Sequence, residues 1–368
     1  MNRGRESHKE TSATSGELSS VWKWALKEIF GGPRGLTKMS HLWLPLALLL
    51  LSCSAPDLKT AFPRTLGLIF AVLCKVQFSI LSNDLCDRRE DQAAGKKRWI
   101  GFLPGPVGLM ITSSLLAAGL TTVLLMGGSL RATLVYAGTI LLGLFYSLKP
   151  LRFKERGIWG LLVYALSATM IFVLVPWTWF PSGPVLLIAL LAAVMSDKWV
   201  QIHFHQVVDH AADLDRVTRT YAVRAGLDRA RSTLRHASFV ASIMLLGMLG
   251  LVLFLASPAA PQLIAVLTIA AAVLAVSRAY AARANRGDSP TAPILTRELP
   301  WFYLGLTYLL FCVLPPVLFF YLARREPWLL VPMILSLFSL LGISWQSSRY
   351  RCPRGAACKQ HYGITWTP

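Results

Sequence analysis

The chain has 368 residues, of which 54% are hydrophobic and only 15% charged, with a mean hydropathy of +0.52. Soluble domains carry roughly 25% charged residues, so the composition excludes a soluble enzyme with a polar shell, and the high apolar content without a glycine period excludes disordered and collagen-like chains. The 37 Lys and Arg against 18 Asp and Glu leave a net charge of +19; in a soluble protein this would suggest nucleic acid, but beside such hydropathy it reads as the basic bias of inner membrane loops, and no nucleic-acid partner is expected.

Residues 1–37 read as a polar N-terminal arm without the apolar core of a signal peptide. Ser19 or Ser20 would cap a short helix through Phe30. It would set Val21, Trp22, Ala25, Leu26 and Ile29 against Lys23 and Lys27, the pattern of a helix lying in the headgroup region or packed on the bundle. Ten apolar stretches follow, near His41–Ala55, Phe62–Ser82, Pro106–Met126, Ala132–Ser147, Ile158–Phe180, Pro184–Val208, Thr233–Ala256, Gln262–Ala282, Trp301–Leu322 and Trp328–Trp345. A span needs about 20 apolar residues, so the first and fourth are short. The fold class expected is an all-α polytopic membrane bundle of nine to ten transmembrane helices over residues 38–347, followed by a basic tail, 348–368. Pro45, the Pro315-Pro316 pair and Pro332 are expected to kink their helices unless they fall in a first turn. Cys53, Cys74 and Cys312 read as small core hydrophobes, and Cys352, Cys358 and His361 in the tail lack zinc-site spacing.

With the N-terminus in the cytoplasm, thirty Lys and Arg fall on the inner side. Only five, Lys59, Arg64, Arg131, Arg324 and Arg325, fall outside, and Lys75 and Lys198 lie within spans. The positive-inside rule therefore predicts an integral membrane protein whose termini, and loops after the second, fourth and sixth stretches, are cytoplasmic.

Two of those loops are acidic. After the second stretch, Asn83, Asp87 and Asp91 recur every four residues and would share a helix face. Stacked oxygen ligands of this kind suit Mg2+, which favours carboxylates together with phosphate oxygens. After the sixth stretch Asp209 and Asp213 repeat the pattern. His205, Gln201 and Asp197 extend it back into the membrane as a polar stripe. Two such clusters at one membrane face would clamp a metal-bound diphosphate, although each alone could be solvated or paired with neighbouring arginines. A cation-coupled transporter also uses membrane acids, but it binds near mid-membrane between broken helices. The loop after the fourth stretch, from Tyr146 through Lys149, Arg152, Lys154 and Arg156, supplies cations suited to diphosphate oxygens. The stripe would orient a hydroxyl or carboxylate of an acceptor, with His205 as a base; the alternative is a buried hydrogen-bonded network that only packs the helix.

Asn83-Asp84-x-x-Asp87-x-x-x-Asp91 resembles the first aspartate-rich motif of the UbiA-type intramembrane prenyltransferases. Asp209-x-x-x-Asp213, followed by Thr220 and Ala222-Val223-Arg224-Ala225-Gly226, resembles the second. Tyr146-Ser147-x-x-Pro150-Leu151-Arg152-x-Lys154 is similar to the loop between them in the chlorophyll-synthase-like branch. The resemblance covers roughly residues 38 to 300. It implies a helical bundle whose central cavity opens to lipid, and Mg2+-dependent transfer from an isoprenyl diphosphate to a lipophilic, aromatic acceptor. It implies Asn83, Asp87, Asp91, Asp209 and Asp213 as metal ligands, and Arg88, Lys149, Arg152 and Lys154 as diphosphate ligands. Tyr146, Arg152, Lys154 and His205 would act in the reaction. A terpene cyclase of the same superfamily is the alternative. The chain departs from the family pattern at Val217, where glycine is common, at the added Asp215, and at Lys149, one place short of the usual lysine.

Overall fold

The structure is a computed structural model and describes residues 36–93, 98, 100, 103–127, 129–215, 218–256 and 299–338. The expected arm helix, the eighth apolar stretch and the Cys352–His361 tail lie outside these residues. The other nine stretches are helical in their described residues, the last of them as far as Phe338. Seven are long and apolar enough to cross a membrane: α2 (Ala55–Cys86, its apolar span Ala61–Cys86), α4 (Gly105–Met126), α5 (Leu130–Ser147), α6 (Ile158–Trp179), α7 (Pro184–Val208), α10 (Leu227–Ala256) and α11 (Phe302–Ala323). Two are shorter, α1 (Ser40–Leu51) and α12 (Pro327–Phe338). Among the described residues the loops also carry short helical turns: α3 (Arg88–Ala93), α8 (His210–Asp215) and α9 (Tyr221–Ala225).

Local sequence sets the helix starts. Ser54 caps α2 by accepting the Asp57 N–H at 3.4 Å, with Pro56 in the first turn, and Ser129 caps α5 by accepting the Ala132 N–H at 3.1 Å. Both use a side-chain oxygen to satisfy an orphan donor. Pro106 and Pro184 occupy first turns, where a missing N–H costs nothing. Leu109, Leu125, Leu134, Val185 and Phe254 are all exposed, an apolar perimeter that a bilayer covers and water would not.

Helix α1 is the exception to that outward pattern. Its residues from Ser40 to Leu50 are all buried. At 12 residues it is about 18 Å long, too short for the ~30 Å hydrocarbon core. A helix that is apolar all round has no solvent face and belongs inside, and α1 packs against α6 and α11 at the centre of the bundle. Both of those helices widen into one π turn beside it, Met170–Leu174 in α6 and Leu309–Val313 in α11. The second π turn immediately precedes Pro315-Pro316, which sit in the first turn of the α segment that resumes at Leu314. The proline pair's missing donors are thus absorbed by a change of helical pitch.

Tight approach joins α2, α4 and α5. The Tyr136 hydroxyl of α5 donates to the Ala71 carbonyl of α2 at 2.8 Å, crossing α4 at Gly119, where an added Cβ would stand 2.1 Å from that hydroxyl. A Cβ at Gly247 in α10 would meet nothing within 4 Å. Gly119→Ala should therefore lower stability by about 1–3 kcal/mol through overpacking, whereas Gly247→Ala should raise it by up to about 1 kcal/mol through helix propensity. Thermal unfolding of the two variants in one detergent checks the opposite signs.

Candidate metal and diphosphate site

The two acidic clusters are built alike. Helix α2 ends at Cys86; Asp87 is its C-cap, and α3 resumes one residue later. The backbone bonds Asp87 N–H to Asn83 O (2.9 Å) and Asp91 N–H to Asp87 O (2.8 Å) carry the helical course across the join, so Asn83, Asp87 and Asp91 keep their spacing of four. Helix α7 ends at Val208, Asp209 is its C-cap, and α8 resumes. There Asp209 N–H bonds His205 O (2.9 Å) and Asp213 N–H bonds Asp209 O (2.8 Å). Tyr146 stands at the end of α5, next to Ser147. Its ring packs against Tyr164, centroids 5.8 Å apart.

The loop after α5 delivers cations to the first cluster. Arg152 Nη2 donates to Asp87 at 3.1 Å and to Glu90 at 2.7 Å, and its Nε lies 3.0 Å from Glu155. The Lys154 ammonium donates to both oxygens of Asp87. Ser147 Oγ donates to Asn83 Oδ1 at 2.9 Å. Arg98 reaches Asp91 at 3.3 Å and the buried Asp84 at 3.9 Å. In the second cluster Thr220 Oγ1 donates to Asp213 at 3.2 Å. Burial works against the Arg152 charge, but the Glu90 hydrogen bond and the charges of Glu155, Glu90 and Asp87 outweigh it and hold its pKa above the ordinary arginine value.

Backbone details fix this loop. Arg152 has φ +33°, a left-handed conformation that costs a non-glycine residue about 1–3 kcal/mol unless the surroundings impose it; here three carboxylates hold the side chain. Gly160 lets α6 close on the loop, since a Cβ there would stand 2.7 Å from the Phe153 carbonyl and 3.1 Å from Lys154 Cα. A parallel bridge between Gly157 and Thr220 ties the loop to the segment after α8.

The structure thus brings Asn83, Asp87, Arg152 and Lys154 together. Among the described residues no three Asp, Glu, His or Cys side chains converge closely enough to hold a metal ion. Lys149 is set apart, exposed on the outer side of the loop. His205 is exposed. Glu90, Glu155 and Arg98 were missed as partners. Glu90 stands in the same acidic run, so sequence held a signal for it, whereas the pairings of Arg98 and Glu155 depend on loop paths.

Of the polar stripe along α7, Asp197 and Gln201 form the buried hydrogen-bonded network that was the alternative to orienting an acceptor. Asp197 has no exposed surface, and its carboxylate is used by four groups: His41 Nε2 (2.6 Å), Gln201 Nε2 (2.8 Å), the Tyr303 hydroxyl (2.6 Å) and Thr307 Oγ1 (3.0 Å). Lys198 donates to His41 Nδ1 at 2.9 Å and to Gln201 Oε1 at 3.0 Å. Asp197 and Gln201 are therefore committed to the bundle and are not available to an acceptor. The reason lies in α1 and α11, whose polar groups no periodicity within α7 discloses.

The UbiA prenyltransferase family matches residues 42–294, a range that contains both acidic clusters and the basic loop. The fold is similar to that of a UbiA homolog from Archaeoglobus fulgidus bound to GPP and Mg2+, with a TM-score of 0.50 and 16% identity over 84% of this chain and 96% of that one. The same homolog bound to DMAPP and Mg2+ gives the same values. No curated protein matches the chain significantly. With more than half of its length matched by the family, the chain belongs to the UbiA prenyltransferase family.

Proposed function

We propose that this protein is a Mg2+-dependent intramembrane prenyltransferase that moves an isoprenyl group from its diphosphate to a lipophilic, aromatic acceptor. The observation that carries the reading is the convergence of Arg152 and Lys154 on Asp87, with the Ser147 hydroxyl on Asn83 beside them. The A. fulgidus homolog's complexes with GPP or DMAPP and Mg2+ support it. The thirty-to-five distribution of Lys and Arg supports a cytoplasmic site.

The donor set fits the metal: Asn83, Asp87, Asp91, Asp209 and Asp213 offer only hard oxygen ligands, as Mg2+ prefers. When bound, Mg2+ supplies positive charge to the diphosphate. The protein's own cations add to this. Lys154 and Arg152 already stand at hydrogen-bonding distance from Asp87, so a diphosphate arriving there finds them placed, with Arg88 beside the cluster. Lys149 we assign to the outer side of the loop. As the allylic C–O bond breaks, negative charge grows on the leaving diphosphate, and pre-positioned donors stabilise it without reorganisation. Tyr146 donates one further hydrogen bond. The bundle keeps water from the allylic cation. The acceptor then attacks, and His205 takes the proton released.

One observation favours a second reading, a terpene cyclase acting on the same diphosphate. Asp197 and Gln201 are consumed within the protein, which removes polar groups that would have oriented an acceptor and quenched a cyclising cation.

Asp87→Asn should abolish most turnover while the protein still accumulates in membranes, and EDTA should do the same to the wild type; undiminished turnover in either case would refute the metal assignment. Arg152→Ala should lower the rate about a hundredfold, as loss of one pre-placed donor to a developing anion does, and Arg325→Ala should leave it unchanged. Incubation with C10 to C20 diphosphates, with and without extracted lipid, should give prenylated product only when an acceptor is present. A cyclic hydrocarbon formed without acceptor would select the cyclase.

A further inference from the structure

The loop that feeds cations to Asp87 has a second face. On its outer side lies an open cavity of about 820 Å³ whose lining includes Lys149, Arg152, Arg156, Trp159, Arg219 and Arg224. Its one acidic lining residue, Glu155, is paired with Arg152. Arg152 forms the wall between this cavity and the acidic centre, with its guanidinium turned to Asp87 and Glu90. Lys149, Arg156, Arg219 and Arg224 have no carboxylate partner among the described residues.

Two of these side chains are held in place. Arg156 donates to the Leu151 carbonyl and, at 2.9 Å, to the Pro150 carbonyl. Arg224 Nε donates to the Arg219 carbonyl at 3.1 Å. The Gly157–Thr220 bridge joins the two segments that carry them, and Gly157 leaves room for Arg224, whose Cδ would lie 3.3 Å from an added Cβ. Backbone acceptors thus fix guanidinium groups that a merely solvated surface would leave loose, and four like charges around one cavity repel each other until an anion enters. Guanidinium groups suit phosphate oxygens in particular.

Exposed apolar side chains adjoin the lining residues in the chain. Trp159 is 56% exposed, Ile158 52% and Leu148 43%. They stand where α5 ends and α6 begins, at one membrane face. Tryptophan with a polar edge and an apolar body belongs at the lipid interface, and basic pockets between transmembrane helices suit anionic headgroups.

We propose that this cavity binds the phosphate headgroup of an anionic phospholipid, at a site separate from the acidic centre. The acyl chains would run along the exposed Leu148, Ile158 and Trp159.

The test titrates purified full-length protein in neutral detergent with phosphatidylglycerol and, separately, phosphatidylcholine, and counts bound lipid by native mass spectrometry. The wild type should prefer phosphatidylglycerol. Arg156→Gln with Arg219→Gln should weaken its binding about thirtyfold, roughly a factor of five for each basic residue at a membrane surface. Arg324→Gln with Arg325→Gln should leave it unchanged. A wild type without preference, a preference retained in the first double variant, or equal loss in both overturns the proposal. A second measurement needs no variant: millimolar inorganic pyrophosphate should not displace phosphatidylglycerol from the wild type, and displacement would assign the site to the free anion instead. Neither measurement uses a prenyl substrate, so each can fail without bearing on prenyl transfer, and prenyl transfer can fail without bearing on them.

Discussion

A carboxylate enclosed in a membrane bundle has no water to hydrogen-bond, so it must find every partner in the protein or not be there. Asp197 finds four, and they come from α1, from α7 itself and from α11. That requirement places three helices around one point. It also accounts for α1, a helix short for a span and too apolar to face water, whose His41 meets the Asp197 carboxylate through one ring nitrogen and Lys198 through the other. The His41 ring lies 4.3 Å from Phe311, in the π turn of α11, and the Lys198 ammonium lies 5.2 Å from the ring of Phe172, in the π turn of α6. The irregular turns of both helices therefore border the same buried network, where local changes of pitch let side chains meet.

From that fixed centre α7 runs to Asp209 and delivers the second acidic cluster at its end. The first cluster ends α2 in the same way. Placing both where a long helix breaks and a short one resumes keeps the acids out of the hydrocarbon and holds their spacing. The acids are not left to repel each other. Arg152, Lys154 and Arg98 neutralise the first group, which at this membrane face avoids an uncompensated charge. The same pairing gives the proposed reaction its cations in advance. The left-handed Arg152 and the Gly160 contact show how tightly the loop is held against α6.

The loop from Leu148 to Trp159 divides its cations between two tasks. Arg152 and Lys154 turn inward and are buried, with carboxylate partners. Lys149 and Arg156 turn outward beside Arg219 and Arg224, exposed and, among the described residues, without them. Alternation in a linear sequence cannot show this division, because the intervening backbone passes through Pro150, a left-handed Arg152 and a 3-10 turn at Phe153–Glu155. The chemical contrast follows from it. Paired and buried cations suit the proposed reaction, while the outward cations suit the proposed lipid headgroup.

Much was legible in the sequence because a bilayer asks for so little. Length and apolarity alone define a span, and the nine expected stretches that the described residues reach are helical there, with the observed ends displaced by a few residues. The spacing of four that stacks Asn83, Asp87 and Asp91 is likewise a property of one helix, and it survives the break at Asp87. What one helix cannot specify is what stands opposite. Asp197 and Gln201 share a face of α7 whether that face lines a cavity or meets His41, Tyr303 and Thr307, and only the packing of α1 and α11 decided for the second. Lys149, Arg152 and Lys154 are equally basic on paper, and only the loop's path sorted them. The sequence by itself determined the helices, the membrane and the residue types at the proposed site, because those depend on local composition and helical period. The tertiary structure decided which charges are partnered and which face outward, because that depends on contacts between segments far apart in the chain.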